Sequence, residues 1–492
     1  MEIAGHPSAP PPHAGDPALV ERLRAIVGDG GVRDGAYGRA MYRRDASFLN
    51  AEPLAVVAPA DVEQAARVLR ACRDAGAPFC PRGAGTGLAG GATPVGEARR
   101  PVVVTLGRLD SIRELDVAAR RAWVEPGVVN LRLGQAAAAH GLRFAPDPAS
   151  QIASTLGGNV ATNAGGIHCL TYGVTSQHVL AVELMDADGD RHLLYGRLPE
   201  QAGLDLRGLA VGSEGTFGLV TAACLRLVPA PPATGTILAG FPSILDAAAA
   251  VSDLVTGDRL PDAVELMDAA AVGVVEGYAG AGYPTDAEAV LLVEHEGLTA
   301  SVRAGVDAAE ACAGAHGATS VARADTDDQR ARLWKGRKAV AGAIAKVKPD
   351  YYLQDVVVPR SKLAEMLGEV VAIGQREGLQ MLNVLHAGDG NLHPFVLFDR
   401  REAGVVDRVL SAGHDIVETA LRLGGTVTGE HGVGVEKRDF LCEVFNDDDL
   451  AVQRAVRAAM EPSGLANPHK VLPTPAGCGE MAPSMVPAGA WV

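Results

Sequence analysis

The chain has 492 residues, too many for one ordinary hydrophobic core, so two or more domains are expected. Its composition, 48% hydrophobic and 21% charged, is that of a globular protein, and a net charge of −15 without any basic run argues against nucleic acid as the main partner. No apolar run of ~18 residues marks a membrane span, no secretory leader is legible, and seven cysteines without a Cys-x-x-Cys pair predict reduced thiols, a cytoplasmic setting and no iron–sulfur or zinc framework.

Residues 1–16 read as disordered and residues 19–27 as a lead helix, together an N-terminal extension over 1–40. Residues 54–58 form a predicted strand. Asp61 and Gln64 then offer a capping box for a helix whose apolar face is Val62, Ala65, Ala66, Leu69 and Cys72, stopped at Gly76. A short strand over 77–80 delivers the chain into Pro81-Arg82-Gly83-Ala84-Gly85-Thr86-Gly87-Leu88-Ala89-Gly90-Gly91. Five glycines in this turn let backbone N–H groups close around an anion. The run lacks the Gly-Lys-Ser/Thr of a triphosphate loop. It matches Gly-x-Gly-x-x-Gly, but Pro94 and Gly96 stand where a Rossmann helix should open. A non-Rossmann loop for a cofactor diphosphate is the reading that survives.

Strands are expected over 102–104 and 121–124, a helix over 130–140 ended by Gly141, and a rigid Pro146-Asp147-Pro148 turn. Residues 155–166 alternate small and polar side chains between paired glycines and read as backbone laid against a flat polar ligand. A strand over 179–186 turns at Asp188-Gly189, and a second glycine-spaced stretch over 212–221 runs into a strand over 222–228. Residues 229–234, Pro-Ala-Pro-Pro-Ala-Thr, mark the domain boundary.

Beyond it, strands (237–241, 291–294) alternate with Ala-rich helices (244–255, 300–315). The pattern is an α+β unit with an antiparallel sheet and helices on one face. A helix over 333–347 carries Trp334 and Arg337, strands are expected over 352–358 and 382–386, and helices over 405–423 and 449–460. The hairpin His386-Ala387-Gly388-Asp389-Gly390-Asn391-Leu392-His393 sets one imidazole at each shoulder of a tight turn. With Glu430 of Gly429-Glu430-His431-Gly432 it makes a His/His/Glu set that leaves positions open, as a catalytic divalent site does. Its bland alternative is a satisfied histidine pair framing a turn. Neighbouring side chains on extended backbone diverge, so Glu430 can ligate while His431 faces substrate.

These stretches, with residues 463–471, resemble the FAD-linked oxidases acting on D-2-hydroxy acids, of the vanillyl-alcohol-oxidase or PCMH type of flavin fold, over roughly residues 40–472. The glycolate oxidase flavin subunit is the nearest pattern, with D-lactate and D-2-hydroxyglutarate dehydrogenases as cousins. The resemblance implies a PCMH-type FAD-binding domain over 41–230, a substrate and metal-binding cap over 236–440, a helical segment returning to FAD over 441–472 and a loose tail over 473–492. It implies that non-covalent FAD is lined by Pro81, Arg82, Gly83, Ala84, Gly85, Thr86, Gly87 and Leu88; by Pro146, Asp147, Ser150, Thr155, Gly158, Asn159, Thr162, Asn163, Gly165, Gly166 and Tyr172; by Gly212, Glu214, Gly215, Gly218 and Val220; and by Asn467. It implies a divalent metal, commonly zinc, on His386, His393 and Glu430, with His431 as general base and Arg337 gripping the substrate carboxylate. Iron–sulfur and second flavin-type subunits would accept the electrons, and any peripheral membrane contact would arise only through those partners. Where hydroxyglutarate-type cousins carry a lysine for a distal acid, this chain reads Tyr351-Tyr352-Leu353-Gln354-Asp355, which favours a monocarboxylate such as glycolate or D-lactate. The alternatives are a hydroxyglutarate-type dehydrogenase, a flavin-dependent ether-lipid synthase of the same fold, and a non-catalytic FAD-holding subunit.

Overall fold

The computed structural model describes residues 15–96, 99–195 and 203–473. The expectations for residues 1–14, for the tail beyond Pro473 and for Cys478 lie outside these. The lead helix is Pro17–Val27, capped by the Asp16 carboxylate. The predicted capping box forms with one change: Asp61 accepts from Gln64 N at 2.6 Å, but the Gln64 side chain reaches Ala60 N rather than the cap's own. The helix Val62–Asp74 is the crossover between parallel strands, Val56–Val57 and Phe79–Arg82 both running beside Val102–Thr105. It packs Val62, Ala65, Leu69 and Cys72 onto that sheet, as its spacing predicts.

A second, antiparallel sheet takes the order Ile112–Asp116, Arg121–Val124, Leu219–Arg226, Val179–Met185, Arg191–Leu194. Residues 155–166 are not extended. They fold into the short helix Leu156–Thr162, because Leu156 and Val160 lie four apart and both enter the core under this sheet. Its small and polar side leaves Thr155, Gly158 and Thr162 to face the other way.

The boundary at Pro229 has no slack. Val228–Pro229 pairs with Leu142–Arg143, and Ala233–Phe241 already belongs to the next sheet. That sheet is antiparallel, in the order Ser320–Ala324, Ala233–Phe241, Ala289–Gly297, Ala263–Asp268, Gln380–His386, Asn391–Phe398, Asp350–Leu353, with Val356–Val357 also beside Asn391–Phe398. The α+β class with an antiparallel second sheet is as expected, but helices cover both faces of the sheet. Ile244–Thr256, Thr299–Ala315, Leu363–Glu377 and Val405–Arg422 pack on one; Ala269–Ala279, Asp327–Lys338 and Val340–Ile344 pack on the other. The expected helix over 333–347 is thus two helices meeting at Ala339, and the strand over 352–358 breaks at Gln354-Asp355.

The chain finally returns to the first domain. Phe79 N donates to Leu465 O and Asn467 N to Phe79 O, so residues 465–467 extend the sheet beside the strand that feeds the glycine loop. The expectation of reduced thiols holds for Cys72, Cys80, Cys169, Cys224 and Cys312; Cys442 is disulfide-bonded. No helix among the described residues is long and apolar enough to cross a membrane.

The two domains are joined through a charged contact. His168 Nδ1 lies 2.9 Å from Asp147 in the first domain, and its Nε2 lies 3.1 Å from Glu294 of the second. Burial disfavours its charged form, but the two carboxylates outweigh that and raise its pKa from 6.5 to about 10. A pKa raised on folding stabilises fully below 6.5 and is lost as the pH rises through about 10. The thermal midpoint should therefore fall between pH 7 and pH 10, a range within that window, and His168→Gln should flatten the fall; equal slopes for both proteins would contradict the linkage.

Candidate functional site

A cavity of about 460 Å³ lies between the domains. Pro81 to Leu88 form one wall, Ser150, Thr155, Gly158, Asn159, Thr162 and Gly165 another, and Glu214, Gly215, Gly218 and Val220 a third. The cap contributes Lys338, Ala341, Tyr351, Leu353, Phe395, Glu430 and His431. Thr155 Oγ1 and Asn159 Nδ2 are buried there without hydrogen-bond partners. A β-carbon at Gly83 would stand 2.3 Å from Thr155 Oγ1, so only glycine lets loop and helix approach this closely. A narrow glycine-walled slot with unmatched donors and acceptors fits a dinucleotide laid along backbone.

At the cap end three imidazoles converge. Residues 265, 386 and 393 share one face of the sheet, because Glu265 pairs with His386 and His393 pairs with Val384, two residues before His386. Glu430 Oε1 then lies 3.3 Å from His386 Nε2, 3.3 Å from His393 Nε2 and 3.7 Å from His431 Nε2. The His393 and His431 rings stack at 4.9 Å with 14° between planes. Neither nitrogen of His393 has a hydrogen-bond partner. Burial lowers the His386 pKa, yet Glu265 and Glu430 hold it well above 6.5. Orphaned imidazole nitrogens, neighbouring carboxylates and a local preference for positive charge together fit a divalent cation. His431 differs: burial, with His393 and Lys437 nearby, lowers its pKa to about 4 against the pull of Asp355 and Glu430. It is a neutral imidazole at neutral pH.

Two further carboxylates shape this set. Glu265, fully buried, accepts from His386 Nδ1 at 2.6 Å and from Arg337 Nε at 2.6 Å. Asp355, also fully buried, accepts at Oδ2 from Thr428 Oγ1 and from the backbone N–H groups of Gly429, Glu430 and His431, at 2.6 to 3.1 Å. Its other side lies 3.7 Å from His393 Nδ1. Glu214 takes the next part of the loop, accepting from Val433 N at 2.7 Å and Gly434 N at 2.9 Å. The loop that carries Glu430 and His431 is therefore fixed from both domains.

Comparison with known proteins agrees with this geometry. Residues 53–194 match the family described as FAD binding domain, and residues 230–471 match FAD linked oxidases, C-terminal domain. The chain is 41% identical over 434 residues to the glycolate oxidase subunit GlcD of Escherichia coli strain K12, covering 88% of this chain and 86% of the relative. This chain belongs to the FAD-linked oxidases. It is also 31% identical to the probable mitochondrial D-lactate dehydrogenase of Danio rerio, over 92% of this chain and 91% of that one. The solved structure of p-cresol methylhydroxylase with substrate bound shares the fold, with a TM-score of 0.77 at 16% identity over 92% of this chain and 96% of that one.

Several residues expected to line the FAD of this oxidase stand outside the cavity wall. Pro146 accepts from Asn130 through its carbonyl, and Asp147 engages His168. Asn163 ends the helix Leu156–Thr162 in the left-handed region, Gly166 packs on Asp147, and Tyr172 donates to Glu296 of the cap. Gly212 N bonds to Val160 O; Asn467 Nδ2 ties Gly91 O to Glu214 O. The Glu214 carboxylate, although at the wall, is engaged by the loop. Arg337 is neither surface-exposed nor part of the wall; it is buried on Glu265. Sequence reasoning missed Glu265 and Asp355. The available signal was a single acid inside each of two apolar strand-like runs, Ala-Val-Glu265-Leu-Met and Leu-Gln-Asp355-Val-Val.

A carboxylate that orients imidazole ligands from behind is worth about 10–100-fold in metal affinity. Asp355→Ala should keep bound FAD but bind zinc or manganese that much more weakly in a chelator competition. Unchanged metal affinity would contradict the orienting role.

Proposed function

We propose that this oxidase converts a small 2-hydroxy monocarboxylate, such as glycolate or D-lactate, to the 2-oxo acid with non-covalently held FAD. The observation that carries the reading is the convergence of His386, His393 and His431 on Glu430 at the end of the dinucleotide-shaped cavity. Bound FAD supplies the acceptor for the hydride from the α-carbon. A divalent ion on His386, His393 and Glu430, zinc being the commonest in this chemistry, would supply Lewis acidity toward the hydroxyl oxygen. His431, neutral and at the cavity wall, takes the hydroxyl proton. Glu265 occupies Arg337 Nε, so the carboxylate grip expected of Arg337 requires its terminal nitrogens to reach the cavity from behind the wall.

Support for a short substrate comes from the cap wall. Tyr351 and Leu353 stand on the strand where hydroxyglutarate-type cousins carry a lysine and supply no cation there; the one ammonium the cap gives this wall comes from Lys338, on a helix. Support for non-covalent FAD comes from the lining itself, which holds no cysteine and no histidine besides His431. The relatives named as glycolate oxidase subunits favour separate electron-accepting subunits here as well.

Without oxygen, glycolate, D-lactate, L-lactate and D-2-hydroxyglutarate should be compared for loss of the yellow flavin absorbance. One of the monocarboxylates should bleach fastest. His431→Ala should retain FAD and reduce the bleaching rate about 10²–10⁴-fold, the range for a lost general base. Bleaching by no hydroxy acid, as a non-redox synthase or a non-catalytic subunit requires, would overturn the reading.

A further inference from the structure

A second concavity of about 650 Å³ opens beside the first. One side is a single face of the helix Asp327–Lys338, presenting Ala331, Trp334, Lys335 and Lys338 at helical spacing. Arg330 and His168 lie in the same cleft, and Tyr278 at its opposite side carries Lys346 Nζ at 4.7 Å from its ring centroid. The cations differ in how they are matched. Arg330 pairs with Glu294, and His168 lies between Asp147 and Glu294. Among the described residues Lys335 and Lys338 make no ion pair, and both are exposed. Lys338 also belongs to the wall of the FAD cavity, together with Glu430 and His431. One lysine thus borders both spaces.

The setting makes these charges matter. The protein as a whole carries a charge of −15, which repels a small carboxylate at long range. Two ammonium groups outside any ion pair, with Asp147 the carboxylate that Lys338 influences, reverse that locally in a concave, partly apolar setting, because low-dielectric walls focus their field. We propose that this cleft is the entry for the hydroxy-acid anion, and that Lys335 and Lys338 collect its carboxylate and pass it to the cavity where His431 waits. The inference rests on the 2-hydroxy-acid reading and adds to it the route and the cations that serve it. Arg337, buried on Glu265, does not reach this cleft's lining.

Anaerobic stopped-flow reduction of the FAD-loaded protein by its best hydroxy acid tests the route. At limiting substrate the second-order rate constant should fall as salt is raised, since a Debye length of about 10 Å at 0.1 M screens the cleft. Lys335→Gln/Lys338→Gln should lower that constant about 10-fold at low ionic strength and flatten its salt dependence, the smaller end of the range for electrostatic steering. FAD content and the visible spectrum show whether the variant is folded. An unchanged salt slope overturns the proposal. Oxalate, which cannot donate hydride, provides an independent arm: its binding, followed by the shift in flavin absorbance, should weaken about 10-fold in the double variant. If no hydroxy acid bleaches the flavin but oxalate binding still weakens, the functional reading fails and the anion cleft stands. If oxalate binds both proteins equally, or produces no shift in either, the cleft proposal fails.

Discussion

Two buried carboxylates grip one stretch of backbone, and the placement of the whole site follows from that grip. Asp355 gathers the N–H groups of Gly429, Glu430 and His431, while Glu214 gathers those of Val433 and Gly434. Each carboxylate is removed from water, which is costly unless its oxygens are filled with donors. Here they are. Asp355 also takes Asn391 Nδ2 and lies 3.8 Å from Lys437 Nζ, and its pKa is held well below 3.8 despite its burial. Asp355 belongs to the cap and Glu214 to the flavin domain, so the loop between them is located relative to both. Gly434 makes the last contact possible: a β-carbon there would collide with Ala89 O of the glycine loop.

The cap sheet contributes the other half by simple alternation. Every second residue of its central strands turns toward the flavin domain. That face is where Glu265, His386 and His393 meet, while Val264, Leu266 and Leu385 point into the larger core. The opposite face carries a second aliphatic cluster, with Ala263, Met267 and Val384, and the polar set shares that face with it. Glu265 then links two parts of the site, since one carboxylate holds both the imidazole of His386 and the guanidinium of Arg337. A change at either partner is felt by the other.

Much of this was legible in the chain, for physical reasons. The glycine run declares itself because backbone must approach a ligand without side chains, and the shoulder histidines because a tight hairpin fixes where they point. The bend at Gln354-Asp355 was hidden, since an apolar run predicts a continuous strand until tertiary hydrogen bonds interrupt it. Residues 155–166 were harder still. Their glycines argue against helix, but burial of Leu156 and Val160 wins. Glu265 and Asp355 act through partners 36 or more residues distant in sequence, and no local pattern reports such a contact. The helix Ala269–Ala279 on the second face of the sheet escaped notice because its apolar residues have weak helical periodicity, whereas the other two helices there were expected as one, over 333–347.

The central claim is that the carboxylate-held loop and the cap hairpin build one cation site at the end of the flavin cavity. Crystals of the FAD-bound protein grown with zinc, measured on both sides of the zinc absorption edge, test it most directly. The account predicts one strong anomalous peak in contact with His386 Nε2, His393 Nε2 and Glu430. A peak instead among Asp355, His393 and His431, or among His168, Glu294 and Glu296, the two other sets among the described residues grouped closely enough to hold an ion, or no peak between the two shoulder histidines, would contradict it.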